Sequence, residues 1–530
     1  MTLTRRGFLQ VTGAAVAAAS GCGAPSEGTD DDAAVEPDVR SASDAGAGPD
    51  RVAPTSDTAP PPDDAPRPLD AGPRDVPGSR DAVAMDARPP AMDVRPPGMD
   101  VRPPGMDVRP ADLELGSIPL SGSEFRRGVM AGDVTAARAM VWTRYAGDRD
   151  LLLRVIETSA DGRTIRGLAF EGEVRVNADG FVHHDVGGLD AGAHYRYAFL
   201  ERMGARIVGR SRIGRFRAAI ADTDARSTLT FGGASCNNLN GAPFPAYRHA
   251  LDADLDFFVH CGDHVYADAA NNLAEYRGVY DRYWAVDGLS DLHAATGIYT
   301  TWDDHEVYNN WDAEEIVRLG REARLDAARR VFFEYRPIRR NSGAPDRIWR
   351  SFRWGRVAEV FVLDVRGERR RSRGEYISEA QLDWLRAGLR ASNAVFKFIV
   401  TSKPITGRVP IGAENSREDY WESFRDQREA LLRFVETIRG VVFLSGDVHY
   451  GAVARVEASG PYRDIREVYM GPGGSGEAMG AIDCTPGAQF DAVIHRHNFT
   501  RLRADPDTRR VEVAFIGAGG TSLCTRSFTV

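Results

Sequence analysis

Two patterns of hydrophobic and polar positions follow one another along the chain. From Ser117 to Ile220, short β-like runs such as ARAMVWTRY, LLLRVIET and HYRYAFLE are separated by turn sequences such as SADGR and NADG. Alternation buries one face of a strand, and closely spaced turns are typical of antiparallel sheets. We therefore predict an all-β sandwich over residues 116–222.

One segment of this region has a more specific pattern. GLDAGAHYRYAF resembles the tyrosine corner of fibronectin-III-like and Ig-like sandwiches, with Tyr195 in the corner position. We find no catalytic chemistry in the region, so we expect it to contribute packing or to shape the edge of a site.

From about Ser227 onwards, buried β-like runs alternate with helical stretches. Two helix-like segments are EEIVRLGREARLDAARRVFFEY and SEAQLDWLRAGLRAS, and the second begins on the N-cap residue Ser378. Six segments read as strands that end in polar residues: TLTFGGASC, DFFVHCGD, GIYTTWDD, VAEVFVLDVR, FKFIVTSKP and GVVFLSGDVHY. This order predicts an α/β domain over residues 223–530, with its polar residues gathered beyond the carboxyl ends of the strands.

The first 22 residues have the layout of an export signal. TRRGFLQ places paired arginines before a mildly apolar run, which is typical of twin-arginine signals, and these carry proteins that are already folded. ASGC ending at Cys22 resembles a lipobox, whereas Ala17, Ala18 and Ala19 offer an ordinary cleavage site. We expect an exported protein, periplasmic, extracellular or attached to a membrane through lipidated Cys22.

Residues 23–115 read as a spacer. The stretch is rich in Pro, Ala, Asp and Gly, and MDVRPPG-type heptads repeat from Met85. Such a composition buries too little apolar surface to offset the entropy of ordering, and paired prolines forbid a coiled coil. We predict a disordered, semi-stiff spacer.

Charge and cysteine usage exclude several function classes. The 530-residue chain has a formal net charge of −9, which does not favour specific nucleic-acid binding. Its five cysteines are too widely spaced for a disulfide framework. No apolar run reaches the roughly 20 residues that span a bilayer.

Polar side chains follow four of the predicted strands in a pattern that suggests a metal site. Each strand end alone is a weak signal. Asp447 and His449 are a stronger one, because residues i and i+2 of an extended strand point to the same side. The occurrence of polar residues at all four strand ends is specific. The candidates are Cys236 after the first strand, Asp263 and Tyr266 after the second, Asp304 and His305 after the third, and Asp447 and His449 after the last.

These motifs resemble the PhoD-like alkaline phosphatase branch of the calcineurin-like metallophosphoesterases. ASC, GDHVYAD, WDDHEVYNNW, RSFRWG, FVLDVR and LSGDVHY occur in the family's order, after a twin-arginine signal and an N-terminal sandwich. The resemblance implies an α/β/β/α sandwich and an iron–calcium centre, with Cys236 in place of the usual D-x-H motif.

The residue chemistry agrees with that implied centre. Thiolate, phenolate and carboxylate neutralise Fe³⁺ better than imidazoles, whereas oxygen ligands suit Ca²⁺. The expected ferric ligands are Cys236, Tyr266, Asp263 and His449, with Asp263 bridging to calcium. The expected calcium ligands are Asp304, Asp447 and one or both of Asn309 and Asn310. His305 and Arg353 are the candidates to stabilise developing charge or to protonate the leaving group.

Four further features carry weaker expectations. Arg366 matches the family's LD-x-R motif, whereas Arg369, Arg370, Arg371 and Arg373 read as a solvated basic loop. GPGGSG resembles a phosphate cradle, but a plain loop is favoured because no helix pattern follows it. Cys484 and Cys524 would pair in an oxidising compartment if folding brings them together, and Cys261 reads as an inert core residue.

The resemblance implies an exported, metal-dependent phosphatase. It would hydrolyse phosphomonoesters, and also phosphodiesters, by attack of metal-bound hydroxide or oxide on phosphorus. The first alternative is a dedicated phosphodiesterase or phospholipase with the same metals. The second is a non-catalytic, surface-tethered binding protein. Small phosphoesters are the expected partners.

Overall fold

The computed structural model describes residues 110–407 and 419–530. The predicted signal, including Cys22, and nearly all of the predicted spacer lie outside these residues. Within them, no helix combines the length and apolar character needed to cross a bilayer.

The described residues form six α-helices and twenty-two strands, besides several short 3-10 helices. The helices are α1 Leu273–Trp284, α2 Asp287–Ala295, α3 Ala313–Arg318, α4 Glu322–Glu334, α5 Glu379–Ala391 and α6 Arg425–Glu436. The strands are β1 Val129–Gly132, β2 Ala139–Arg144, β3 Asp150–Thr158, β4 Ile165–Val174, β5 Phe181–Val186, β6 His194–Met203, β7 Arg206–Arg210, β8 Gly214–Arg217, β9 Leu229–Ala234, β10 Phe257–Cys261, β11 Gly297–Thr301, β12 Arg350–Trp354, β13 Ala358–Val362, β14 Phe396–Thr401, β15 Val441–Ser445, β16 Gly451–Arg455, β17 Arg466–Tyr469, β18 Ile482–Asp483, β19 Phe490–Ile494, β20 Phe499–Asp505, β21 Arg510–Ile516 and β22 Ser522–Thr529.

The six predicted strands of the α/β region are all present, and they divide equally between two large sheets. The nine-stranded sheet has the order β22-β21-β20-β9-β10-β11-β1-β2-β5, and β9, β10 and β11 run parallel. The eight-stranded sheet has the order β12-β13-β14-β15-β17-β16-β19-β18, and β13, β14 and β15 run parallel. The carboxyl ends of two parallel units thus carry the predicted site residues.

The two large sheets share an apolar core and carry helices on their outer faces. Phe231 of β9 and Phe398 of β14 meet in this core, with ring centroids 4.9 Å apart. Helices α1, α2 and α4 pack with β10 and β11, whereas α5 and α6 pack with β13, β14 and β15. The predicted α/β class is confirmed, with layers in the order helices, sheet, sheet, helices.

The N-terminal strands form a five-stranded sheet with the order β4-β3-β6-β7, in which β8 also pairs with β6. Leu153 of β3 and Tyr197 of β6 pack against Val141 and Val182 of β2 and β5. The backbone N–H of Asp190 donates to the Tyr195 hydroxyl at 2.8 Å, which is the contact of a tyrosine corner. Because β1 pairs with β11, the nine-stranded sheet is continuous with the N-terminal strands.

The two predicted helical segments differ in outcome. Ser378 caps α5 as expected, because its side chain accepts from the Gln381 N–H at 3.2 Å. The segment from Glu314 to Tyr335 is two helices rather than one. Gly320 adopts φ +62° between α3 and α4, and the Arg321 N–H donates to the Ile316 carbonyl at 2.9 Å, which ends α3.

The cysteines divide into a pair and two buried thiols. Cys484, just after β18, and Cys524, in β22, form a disulfide with Cα atoms 5.9 Å apart. The disulfide therefore links the edges of the two large sheets. Cys261 is buried in β10, as predicted, and its burial raises the pKa of its thiol.

Candidate metal centre

Three predicted site residues occupy the same position relative to their strands. Cys236, Asp263 and Asp447 each lie two residues beyond the ends of β9, β10 and β15, with φ of 56°, 56° and 66°. Left-handed backbone costs a non-glycine residue about 1–3 kcal/mol and is concentrated at functional sites. The same backbone conformation thus follows strands of both large sheets and brings these three side chains to a common site.

Cys236, Asp263, Tyr266 and His449 are brought together as predicted. The Cys236 thiol lies 3.5 Å from Asp263 Oδ2. The Tyr266 hydroxyl lies 3.5 Å from His449 Nε2 and 2.6 Å from the Ser475 hydroxyl. Sulfur, phenol, carboxyl and imidazole groups therefore face a common centre, with Cys236 and Asp263 buried at its floor and His449 exposed at its rim.

Four carboxylates converge on the same floor. Asp263, Asp303, Asp304 and Asp447 each place an oxygen within 4.8 Å of the others. Asp303 was missed by the sequence analysis, although its neighbour Asp304 was identified. Its Oδ1 accepts from Ser402 at 2.9 Å and from Arg366 at 2.6 Å. Adjacent acidic residues gave no signal that both face inward.

Two buried cations that follow strands of the eight-stranded sheet neutralise part of this cluster. Arg366, after β13, contacts Asp303 and Asp304 and donates two hydrogen bonds to Asp419, at 2.7 and 2.6 Å. Lys403, after β14, forms ion pairs with Asp303, Asp419 and Asp447. Asp419 and Lys403 were absent from the prediction.

These cations separate the pKa values of neighbouring carboxyl groups. Burial alone would raise the pKa of Asp304, but Arg366 and Lys403 hold it well below its usual range. Burial raises the pKa of Asp303 to about 7 despite the same two cations. Burial and the nearby carboxylates raise the pKa of Asp263 well above its usual range. In the metal-free protein, the carboxyl group of Asp263 therefore binds a proton more tightly than that of Asp304.

His305 is positioned by a carboxylate and an aromatic ring. Its Nδ1 lies 2.8 Å from Asp268 Oδ1, and its ring stacks on Tyr266 with centroids 4.0 Å apart. Burial would lower its pKa, but Asp263 and the hydrogen bond to Asp268 raise the pKa of His305 to about 10. His305 is therefore protonated at neutral pH in the metal-free protein and can donate a proton.

The two predicted asparagines differ in their placement. The Asn310 backbone N–H donates to Asp304 Oδ2 at 2.7 Å, and its side-chain amide group lies 3.1 Å from carboxylate oxygens of Asp304 and Asp419. Asn309 is exposed, and its backbone N–H donates to Asp268 at 2.7 Å. Of the two side chains, Asn310 faces the cluster.

Arg353 is not part of the centre, which corrects the prediction that it stabilises charge there. It lies on β12 beside Glu359, the second residue of β13, and its guanidinium contacts Glu359 at 3.1 Å and Asn393. Those partners lie at the amino ends of β13 and β14, whereas the centre lies at their carboxyl ends. Arg366 is the arginine at the cluster.

The basic loop is also partly different from its prediction. Arg370, Arg371 and Arg373 are exposed, as expected, but Arg369 is fully buried and pairs with Asp419. Its guanidinium lies 4.3 Å from the Tyr376 ring centroid. A run of arginines gave no sign of which member turns inward.

The glycine-rich loop from Gly471 is a plain loop, but it supports the centre. The N–H groups of Gly474 and Ser475 donate to the Cys236 carbonyl, each at 3.0 Å. A Cβ on Gly474 would lie 2.3 Å from the Asn238 carbonyl oxygen, so only glycine permits this approach. The loop thereby fixes Cys236 and places Ser475 against Tyr266.

Glu306, another residue that the prediction missed, joins two ligand loops. Its buried carboxylate accepts from the N–H groups of Asp263, His264 and Asp303, at 3.2, 2.6 and 2.9 Å. It directly follows His305 in WDDHE, but its role depends on contacts 42 or 43 positions away in the chain.

The donor set fits a metal centre. Asp303 Oδ2 and Asp304 Oδ1 are buried without a hydrogen-bond partner, and their contacts with Lys403 and Arg366 are longer ion pairs, at 3.6 and 3.4 Å. Buried carboxylate oxygens without hydrogen bonds are rare, and a bound cation would satisfy them. Cys236, Asp263, Tyr266 and His449 could hold one ion. Asp304, Asp447 and Asn310 could hold a second through oxygen.

Sequence comparisons identify known relatives. The family described as PhoD-like phosphatase matches residues 230–476, and the PhoD-like phosphatase N-terminal domain matches residues 113–220. Alkaline phosphatase D of Bacillus subtilis (strain 168) is 26% identical over 385 residues, which cover 62% of this chain and 65% of that protein. The chain therefore spans just under two thirds of this relative's length.

Solved structures agree on the fold. The structure of PhoD has a TM-score of 0.64 at 22% identity, covering 77% of this chain and 90% of that one. A purple acid phosphatase from yellow lupin (Lupinus luteus) seeds has a TM-score of 0.52 at 13% identity, covering 76% and 74%. With consecutive matches to both PhoD-like domains, the chain belongs to the PhoD-like phosphatase family.

Proposed function

We propose that the chain is an exported metal-dependent phosphatase that hydrolyses phosphomonoesters and also phosphodiesters. The observation that carries this proposal is the meeting of Cys236, Asp263, Tyr266, Asp304 and His449 beyond the ends of strands from two sheets. The relatives named above are phosphatases, and ester hydrolysis is the chemistry that such a centre supports.

We propose Fe³⁺ and Ca²⁺ as the metals. Cys236, Asp263, Tyr266 and His449 would hold iron, because charged sulfur and oxygen donors suit a hard trivalent ion. Asp304, Asp447 and Asn310 would hold calcium through oxygen, with Asp263 shared between the two ions. When bound, the metals would polarise the phosphoryl group and activate water for in-line attack.

The protein's own groups then have distinct tasks. His305 would donate its proton to the leaving oxygen, because its Nδ1 is held by Asp268 and leaves Nε2 for the substrate. Arg366 and Lys403 keep Asp304 and Asp419 charged, because they hold the pKa values of both carboxyl groups below their usual range. The burial of Cys236 and Asp263 excludes bulk water from the floor of the centre.

Export and attachment belong to the same proposal. The twin-arginine signal and the possible lipid anchor at Cys22 would place the enzyme outside the cytoplasm, with residues 23–115 as spacer. The Cys484–Cys524 disulfide supports an oxidising compartment. We propose that residues 116–222 are a fibronectin-III- or Ig-like sandwich, as the tyrosine corner at Tyr195 suggests.

Two alternatives are tested by one experiment. The purified full-length protein and its Cys236→Ala variant are assayed on a panel of phosphomonoesters, phosphodiesters and phospholipids, with iron and calcium measured in each preparation. We expect iron, calcium and monoesterase activity in the wild type, and loss of iron and activity together in the variant.

Other outcomes would change the assignment. Activity confined to diesters or phospholipids would favour a dedicated phosphodiesterase or phospholipase. A metal-free, inactive wild-type preparation from a metal-replete host would favour a surface binding protein. Full activity of Cys236→Ala would exclude Cys236 as a ligand.

A further inference from the structure

Lysine is rare in this chain, and one lysine lies at the carboxylate cluster. Of the 67 basic residues, Lys397 and Lys403 are the two lysines, and all others are arginine. Lys397 lies within β14, and Lys403 lies two residues beyond its end. Lysine supplies a compact point charge, whereas the wide planar guanidinium of arginine needs more space. The exception to the arginine-rich composition therefore coincides with a crowded, charged position.

The Lys403 ammonium group is enclosed by carboxylates. Its side chain is 1% exposed, and its Nζ lies 2.8 Å from Asp419 Oδ2 and 3.6 Å from Asp303 Oδ2, in addition to the ion pair with Asp447 Oδ1. The same Nζ lies 5.3 Å from the centre of the Tyr420 ring. Lys403 thus occupies the position of a cation among three acidic side chains.

Because of this placement, the carboxylates of the cluster differ in how fully the protein itself occupies their oxygens. Both oxygens of Asp447 are engaged, Oδ1 by Lys403 and Oδ2 by the Tyr420 hydroxyl. In contrast, Asp304 Oδ1 has no hydrogen-bond partner, and its contact with Arg366 Nη2 is a longer ion pair at 3.4 Å. Both oxygens of Asp447 are therefore held at close range within the protein, whereas Asp304 Oδ1 keeps lone pairs that no hydrogen bond uses and that an added ion can take.

We infer that Lys403 is a built-in cation that competes with the second metal ion for Asp447 and Asp303. The inference rests on the proposed two-metal function, and it concerns the calcium ion rather than the ion held by Cys236. An ammonium group and Ca²⁺ are attracted by the same carboxylates, so each weakens the binding of the other. Calcium is held less tightly than the number of carboxylates would suggest, and Lys403 sets that affinity.

The test compares calcium binding by the iron-loaded full-length protein and two variants. Lys403→Gln removes the ammonium group at the cluster. Lys397→Gln is the matched control on the same strand, because Lys397 donates to the backbone carbonyls of Ala394 and Arg439. Calcium affinity is measured by equilibrium dialysis with radioactive calcium, and iron retention by elemental analysis.

We expect Lys403→Gln to bind calcium about 10–100-fold more tightly than the wild type, because the substitution removes the repulsion between a buried ammonium group and the ion at close range. Lys397→Gln should match the wild type. Unchanged or weaker calcium binding by Lys403→Gln would overturn the inference and leave the proposed function intact. Absence of both metals from all three proteins would contradict the proposed function as well.

A second measurement needs no substitution at Lys403. Lysine-selective ¹⁵N labelling gives two side-chain signals, which the Lys397→Gln variant assigns. Saturating calcium should shift the Lys403 signal and leave the Lys397 signal in place. An unchanged Lys403 signal under saturating calcium would contradict the competition.

Discussion

Three strands of the nine-stranded sheet and three strands of the eight-stranded sheet end at one centre, but the side chains that follow them differ in charge. After β9, β10 and β11 the chain supplies a thiol and carboxyl groups, through Cys236, Asp263 and Asp304. After β13 and β14 it supplies cations, Arg366 and Lys403. Asp447 and His449 after β15 complete the set.

The difference separates two tasks that one layer of ligands could not perform. The nine-stranded sheet, here the first sheet, supplies the anionic groups that a metal-binding site requires, although these groups repel one another. The second sheet offsets that repulsion with buried cations, so that the fold survives before metal is bound. Ligands of the first sheet should therefore matter most for activity, and cations of the second sheet most for stability.

The largest expected effect is on activity, from Asp263→Asn. Losing a metal contact worth several kcal/mol should lower kcat/KM by about 10³-fold, at roughly 1.4 kcal/mol per tenfold. Burial and neighbouring carboxylates raise the pKa of Asp263, so its charged form opposes folding above the unfolded-state pKa near 3.9.

The same variant should therefore make the metal-free protein more stable at pH 7. This gain should disappear near pH 4, where the unfolded-state carboxyl is itself half protonated. Urea unfolding of metal-free wild type and variant at both pH values checks this. A metal-free variant less stable than the wild type at pH 7 would show that Asp263 supports the fold.

Removing a cation that follows a strand of the eight-stranded sheet should lower the stability of the protein, whereas Asp263→Asn should raise the stability of the metal-free form. Arg366→Met leaves Asp303, Asp304 and Asp419 buried with one cation fewer, which should lower the free energy of unfolding by about 3–5 kcal/mol. Arg370→Met is the control, since Arg370 is exposed and should change stability by no more than about 0.5 kcal/mol. Equal losses in the two variants would refute the role of the buried network.

A smaller effect concerns the helices that cover the nine-stranded sheet, where a buried histidine should make the free energy of unfolding depend on pH. His293 of α2 is buried against Trp284, with ring centroids 5.0 Å apart, and burial holds its pKa well below 6.5. The unfolded chain therefore takes up this proton more readily, and stability falls as pH drops below about 6.5, by up to about 1.4 kcal/mol per pH unit.

The variant His293→Phe should reduce this pH dependence between pH 6.5 and 5. Its slope of unfolding free energy against pH should fall by up to one proton's contribution, whereas the slope above pH 7.5 should match the wild type. Identical slopes in both proteins below pH 6.5 would mean that His293 is not neutral in the folded state.

Local patterns were enough to predict the strands and most of the side chains that the structure brings to the candidate centre. Each of the six strands is a short apolar run with a polar end, so hydrophobic periodicity located Cys236, Asp263 and Asp447 without knowledge of their partners. The cap at Ser378 is equally local, because it needs only a serine before a helical pattern. The split at Gly320 was missed, because glycine is tolerated within helices as well as at their ends.

Residues that act across the two sheets could not be predicted in this way. Lys403 follows the apolar strand β14, and its role depends on Asp419 and Asp447, which are distant in sequence. Arg353 and Arg366 both lie near the carboxyl ends of neighbouring strands, but β12 and β13 are antiparallel, so the two arginines lie at opposite edges of the sheet. The rarity of lysine could have singled out Lys403 as an unusual residue, but it could not have identified the carboxylates that Lys403 contacts.

The most direct test of the central claim is X-ray absorption spectroscopy at the iron edge of the purified protein. If Cys236 meets Asp263, Tyr266 and His449 at one metal, the wild-type spectrum contains a single sulfur scatterer in the first coordination shell, and Cys236→Ala, which should lose its iron, gives no such spectrum. An iron-containing wild-type protein with oxygen and nitrogen scatterers alone would contradict the account.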